Sequence, residues 1–251
     1  MLAGAFLSQI ADAQIPIYIA SDDWCPFICA KDGKITGGFL VDASIEAMQS
    51  GGYQVEPVLM PLSRAIHETT LNHIQGVYAP PIDQRFDLSV PIGYSRACFY
   101  TRTDSIWTYR GLDSLHDVVV GIVSEYGYDE NGMDAYIVQH QHEAASFDLA
   151  YGEHAGAGNL KKLLAARFPV MLEHESVMAL LIRQTDAKHI RQAGCLDHPL
   201  SLPVGFTRMD PHNVAWKLAL AKGMRQLEAN GKLAELKRHY QIVDTTTDKN
   251  R

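Results

Sequence analysis

An α/β protein with mostly parallel sheets covered by helices is predicted by three observations. Strand and helix patterns alternate along the chain, residues 118–123 form a continuous apolar run, and the composition supports a sizeable core. Hydrophobic residues fill 47% and charged residues 20% of the 251 positions, which separates the chain from disordered proteins and allows one to two domains of the usual ~100–200 residues. Lys and Arg total 22 against 29 Asp and Glu, a net charge of -7; without basic runs, that argues against a nucleic-acid partner. No apolar stretch approaches the ~20 residues that span a bilayer.

The elements follow in order. Ile15, Ile17 and Ile19 alternate as a strand with one buried face. The loop Asp22-Asp23-Trp24-Cys25-Pro26-Phe27 comes next. Residues 40–49 then read as a helix with Val41, Ile45 and Met48 on one face, closed by Gly51-Gly52. A second strand is expected over 53–60, a helix capped by Ser63 and running through His73, and a third strand over 74–79 stopped by Pro80-Pro81. A second set begins with a strand at 97–102 and the central parallel strand at 118–123. Helices are expected at 129–142, 159–167 and 176–190, with a strand at 168–172 between the last two. A strand at 202–208 precedes a long helix over 213–229, whose Val214, Leu218, Ala221, Met224 and Leu227 should face inward. Gly231 breaks that helix, and Leu233, Leu236 and Tyr240 mark the last one.

The N-terminus carries a short apolar segment, and Ala11-Asp12-Ala13 before Gln14 has the A-x-A form of a signal-peptidase site. Residues 1–13 are therefore expected to be the remnant of a signal peptide, the alternative being a short amphipathic segment. Four cysteines allow three pairings. In an oxidising compartment the expected bridges are Cys25–Cys29 and Cys98–Cys195; the alternative is four buried free thiols. A C-x3-C without nearby His is a poor zinc site, and no cofactor or metal is expected. His140 and His142 lie two apart and share no helical face. The glycines at 152, 156 and 158 lack the Lys and the strand-turn-helix context of a phosphate loop, and no G-x-S-x-G elbow occurs.

The chain resembles the bacterial periplasmic solute-binding proteins of the amino-acid-binding (family 3) type over about residues 15–242. The resemblance is carried by Trp24-Cys25-Pro26-Phe27, by Gly38-Phe39-Leu40-Val41-Asp42, and by Met60-Pro61-Leu62-Ser63-Arg64-Ala65, which is similar to an "MPWxRA" segment. Leu112-Asp113-Ser114-Leu115 before the central strand, Asn159-Leu160 through Arg167, and Glu228-Ala229-Asn230-Gly231-Lys232 complete it. It implies a two-lobed type II periplasmic binding protein fold with a central mixed sheet in each lobe and two crossing hinge strands, at 97–102 and 202–208. Lobe 1 would combine 14–98 with 204–243, lobe 2 would be 99–203, and 244–251 a polar tail. It also implies a monomeric periplasmic protein that takes a small polar solute in the interlobe cleft and delivers it to the membrane permease of an ABC transporter. The alternatives are a secreted enzyme on the same fold, similar to cyclohexadienyl dehydratase, and a sensory module.

The same resemblance implies the ligand residues. Trp24 would stack on the ligand, with Phe27 beside it, and Tyr78 would contribute from the third strand. Arg85, in a segment similar to "T-P-E-R", and Arg64 are the candidate anchors for a ligand carboxylate; for Arg64 the alternative is an ion pair with Glu68 four residues on. Tyr126 and Tyr128 follow the second-lobe central strand, at the end where open α/β sheets bind ligands. Glu173 and His174 close the 168–172 strand, where amino-acid binders place an acid. The expected ligand is a small polar solute with at least one anionic group. Ile82 and His174 depart from the amino-acid pattern, so a non-standard amino acid, an organic acid and a small peptide-like compound all stay open.

Overall fold

The computed structural model describes residues 16–152 and 154–245. The expected signal-peptide remnant lies outside them, as do residues 246–251 of the tail. Two five-stranded sheets organise the chain. The first holds β1 (Ile17–Ser21), β4 (Val55–Leu59), β5 (Gly76–Tyr78), β6 (Phe86–Leu88) and β14 (Val204–Thr207), in the order β4-β1-β5-β14-β6. The hairpin of β2 (Cys29–Lys31) and β3 (Lys34–Gly37) stands beside it. The second sheet holds β8 (Ala97–Arg102), β9 (Val120–Val123), β10 (Phe147–Ala150), β11 (Val170–His174) and β12 (Ile190–Cys195), in the order β10-β9-β11-β8-β12. Each sheet has two parallel and two antiparallel neighbouring pairs. The sheets are mixed rather than mostly parallel because β14 returns to the first sheet, and β8 and β12 enter and leave the second, against the direction of their neighbours.

The crossing strands are not those expected. The expected pair at 97–102 and 202–208 falls on β8 and β14, which lie inside the sheets. The connection is instead a separate two-stranded ladder, β7 (Gly93–Ser95) antiparallel to β13 (Leu200–Leu202). Backbone hydrogen bonds extend it at Ile92 N–H to Leu202 O (3.0 Å) and Ser89 N–H to Val204 O (2.9 Å). Both expected disulfides are present. Cys98–Cys195 joins the start of β8 to the end of β12 immediately beside this ladder.

Helices cover the sheets: α1 (Phe39–Gln49) and α2 (Leu62–Thr70) in the first half, α3 (Gly132–His140), α4 (Ala155–Leu164) and α5 (Glu175–Thr185) in the second. The C-terminal α6 (Asn213–Ala229) and α7 (Lys232–His239) pack back on α1. Four local expectations are corrected. Pro61, with φ -52° and ψ 140°, holds the capping position of α2, so Ser63 sits inside the first turn and caps nothing. Helix α4 starts four residues before Asn159. The helix expected over 176–190 stops at Thr185, where Asp186 turns left-handed (φ 50°), and Ile190 already belongs to a strand. On α6 the buried stripe is Trp216, Leu220, Gly223, Met224 and Leu227, whereas Val214 (55%) and Leu218 (65%) are exposed.

Gly223 explains that rotation. A Cβ there would lie 2.1 Å from the Ala47 carbonyl oxygen, so only glycine lets α6 sit this close to α1. Among the described residues no helix is long and apolar enough to cross a membrane. Gly223→Ala should therefore cost about 1–3 kcal/mol through overpacking, despite the better helix propensity of alanine. A thermal melt with unchanged or raised Tm would contradict this packing.

Candidate functional site

Strands β1 and β5 of the first sheet and β9 of the second all run with their carboxyl ends toward the junction of the two halves. That is where open α/β sheets expose backbone ends and loop side chains to a ligand. A cavity of about 550 Å³ lies there. From the first half it is lined by Ser21, Asp22, Trp24, Tyr78 and the apolar turn Pro80–Ile82. From the second come Glu125, Tyr126, Glu130, Asp134 and Val138, while Leu200 of the crossing strand β13 closes one side.

Trp24 is the joint between the halves. It packs on Phe27 of its own loop (ring centroids 4.6 Å) and meets Tyr126 (5.8 Å) and His174 (5.0 Å) edge-on across the junction. Trp24 and Tyr126 also line a second, smaller cavity of about 230 Å³, which reaches Glu173 and the start of α4. The two rings thus line both the larger and the smaller space.

Buried acids dominate the electrostatics. Asp22 is pushed up to about 6, chiefly by burial. Its own backbone N–H offsets part of that rise, and its side-chain partners are distant: Ser21 Oγ–H at 3.4 Å and Tyr126 Oη–H at 3.5 Å. Glu173 is fully buried, accepts the His174 N–H at 2.8 Å, and is pushed up to about 7 by desolvation. His174 donates from Nε2 to the Gly127 carbonyl (3.0 Å), because a carbonyl can only accept; burial holds it neutral, down to about 4. Its Nδ1 and the indole N–H of Trp24 are buried with no hydrogen-bond partner. Asp134 does different work. Its two oxygens accept the N–H groups of Tyr128, Asp129 and Glu130, bracing the loop into α3.

Of the residues singled out in the sequence, Trp24, Tyr78 and Tyr126 line the larger cavity and Glu173 the smaller. The Tyr78 hydroxyl is spent on Ser44 Oγ (2.8 Å). Phe27 is fully buried packing. Tyr128 is an internal brace, accepting the Val123 N–H at 2.9 Å and stacking on His174. Neither arginine lines either of these two cavities. Arg85 forks onto Asp83 two residues away (2.6 and 2.9 Å), and Arg64, 67% exposed, faces Glu68 at 3.7 Å. Both arginines are thus paired locally in this structure. Asp22, Glu125 and Glu130 line the larger cavity and are not among the residues singled out in the sequence. The position of Asp22 at the carboxyl end of the first strand was the available signal.

No protein-family model and no curated protein sequence matches the chain. Solved structures do. A histidine kinase sensor domain with similarity to periplasmic binding proteins superposes at a TM-score of 0.75 and 16% identity, covering 92% of this chain and 98% of that one. The fold is that of a type II periplasmic binding protein. An ancestral arginine-binding protein bound to arginine shares it at a TM-score of 0.71 and 14% identity, covering 90% of this chain and 97% of the other. So does a structure tied to glutathione import via GshT and the cystine ABC importer TcyBC of Streptococcus mutans, at 0.72 and 14%, covering 90% and 95%. At these identities the likeness establishes the two-lobed fold alone, with a mixed sheet in each lobe.

Glu173 and His174 make opposing contributions to stability. Glu173 rises from 4.5 in the unfolded chain to about 7, so folding takes up a proton between those values. Its contribution accordingly falls as pH rises to 7. His174 goes from 6.5 down to about 4, so its contribution is complete above 6.5 and is lost as pH falls toward 4. Glu173→Gln keeps the acceptor for the His174 N–H and removes the first effect alone. Its stability gain over the parent should grow from pH 4.5 to 7 and reach on the order of 3 kcal/mol at pH 8. Urea denaturation at pH 5 and pH 8 measures it; an equal gain at both would mean Glu173 titrates as it does unfolded.

Proposed function

We propose that this protein captures a small polar solute between its lobes and delivers it to the permease of an ABC transporter, working outside the cytoplasm. The observation that carries the reading is the 550 Å³ cavity, which draws its lining from both lobes and from the crossing strand β13. A site shared in this way is completed only when the lobes approach, so solute binding and closure are coupled. Two disulfides support an oxidising compartment. We take lobe 1 as residues 14–98 with 204–243 and lobe 2 as 99–203, with the second sheet beginning at Ala97, two residues before that boundary.

A second reading, a sensory ligand-binding module, draws support from the likeness to the histidine kinase sensor domain. The two part on uptake. Deleting the protein should abolish accumulation of the radiolabelled solute if it serves a permease, and leave accumulation intact if it serves a sensor.

A thermal-shift screen of polar metabolites should yield a compound that raises Tm and lowers the radius of gyration in small-angle scattering. The compound should be recovered unchanged, and prephenate and arogenate should not be turned over. Trp24→Ala should weaken the hit by about 1–3 kcal/mol, the worth of lost aromatic contact area plus a cation–π share. Steady product formation would replace the binding reading with an enzymatic one.

A further inference from the structure

The ionisable groups lining the larger cavity are all acidic or phenolic. Asp22, Glu125, Glu130 and Asp134 face it, and among the described residues that line it none is Lys, Arg or His. The nearest arginines singled out above are tied to their own carboxylates outside the cavity. Apart from Ser21 and Asn131 the rest of the wall is largely apolar, with Leu62 and Pro80–Ile82 in one lobe and Ala135 and Val138 in the other. Ile82 (40%) and Val138 (70%) stand exposed on opposite lobes.

A ligand carboxylate entering this space would lose its hydration and meet like charges with no cation to offset either cost. A ligand ammonium or guanidinium meets the reverse. Besides its own backbone N–H, the Asp22 carboxylate meets Ser21 and Tyr126 only at the edge of hydrogen-bond range, which leaves acceptor capacity. Glu130 engages one oxygen, Oε1, with both the N–H and the hydroxyl of Ser201 (2.8 and 2.6 Å). Asp134, saturated by backbone N–H groups, adds field rather than a contact. Tyr126 and Trp24 supply aromatic surface to the same cation. Independently of the acids, Trp24, 8% exposed, lines the cavity, and its buried indole N–H has no protein acceptor. It can donate to a neutral hydroxyl or amide oxygen of a bound molecule.

Resting on the solute-binding reading above, we infer that the solute is an organic cation, an amine or guanidine with a short apolar body and no carboxylate, held by Asp22 and Glu130 across the cleft with Glu125 adding charge. The amine end is neutralised by the acids, and the apolar body lies along Pro80–Ile82 and Val138. An α-amino acid is disfavoured because its carboxylate has no partner.

Calorimetric titration of the full chain with matched pairs decides the matter: cadaverine against lysine, agmatine against arginine, phenethylamine against phenylalanine. The expected result is that the tightest-binding compound of the six is an amine, at least tenfold tighter than its carboxylated twin. Asp22→Asn, shown folded by an unchanged melting profile, should weaken that amine at least tenfold; if it does not fold, Glu130→Gln serves as the second variant. If the amino acid of a pair binds as tightly as its amine, or if the metabolite screen selects a zwitterion or an anion, the inference is overturned while the solute-binding reading stands. If neither the six compounds nor the screen gives any binder, both fall.

Discussion

Three residue pairs, Gly93 with Leu202, Tyr94 with Ser201 and Ser95 with Leu200, form the ladder by which the two sheets are joined. The cavity, the Trp24 and Tyr126 rings and the acidic lining all depend on that short ladder, because it sets where one lobe stands against the other. The ladder is also wired into the site. Leu200 lines the cavity, and the next residue, Ser201, binds Glu130 of the second lobe. A change in the hinge angle would therefore be felt at a side chain facing the solute.

The acids near the cleft fall into different physical situations. Asp134 is half-buried and satisfied by three backbone N–H groups, and it serves the loop it caps. Asp22 is half-buried with long side-chain hydrogen bonds, and desolvation raises its pKa to about 6. Glu173 is fully buried, lines the smaller cavity and is raised by desolvation. The two raised carboxylates thus line different cavities that share one pair of rings.

Much of the fold was legible in the sequence. Periodicity located α6 at its observed bounds and β8 likewise, and the apolar run at 118–123 contained β9. The failures have physical causes. Periodicity could not see that Gly223 would draw α6 onto Ala47, and so chose Val214 and Leu218 for the core in place of Trp216 and Leu220. Residues 176–190 carry a helical pattern to their end, and only the left-handed turn at Asp186 frees β12. Around the larger cavity, the aromatic residues Trp24 and Tyr126 were legible because each closely follows a strand. Asp22 was passed over because its closest partner across the cleft, Tyr126, lies 104 residues away in the chain. Arg85 attracted attention by its type, yet its partner Asp83 is a local one that the sequence displayed in full.

The Cys98–Cys195 bridge has a mechanical side. It sits where the chain enters and leaves the second sheet, so the 97-residue separation between its ends is closed covalently beside the ladder. A force pulling on the two ends of the chain would run through the first lobe, across the ladder and through this bridge. The strands and helices between the two cysteines would carry none of it. The second lobe is in this sense a loaded body hung from a single stapled point, free to swing as a unit but shielded from any tension that reaches it through the backbone.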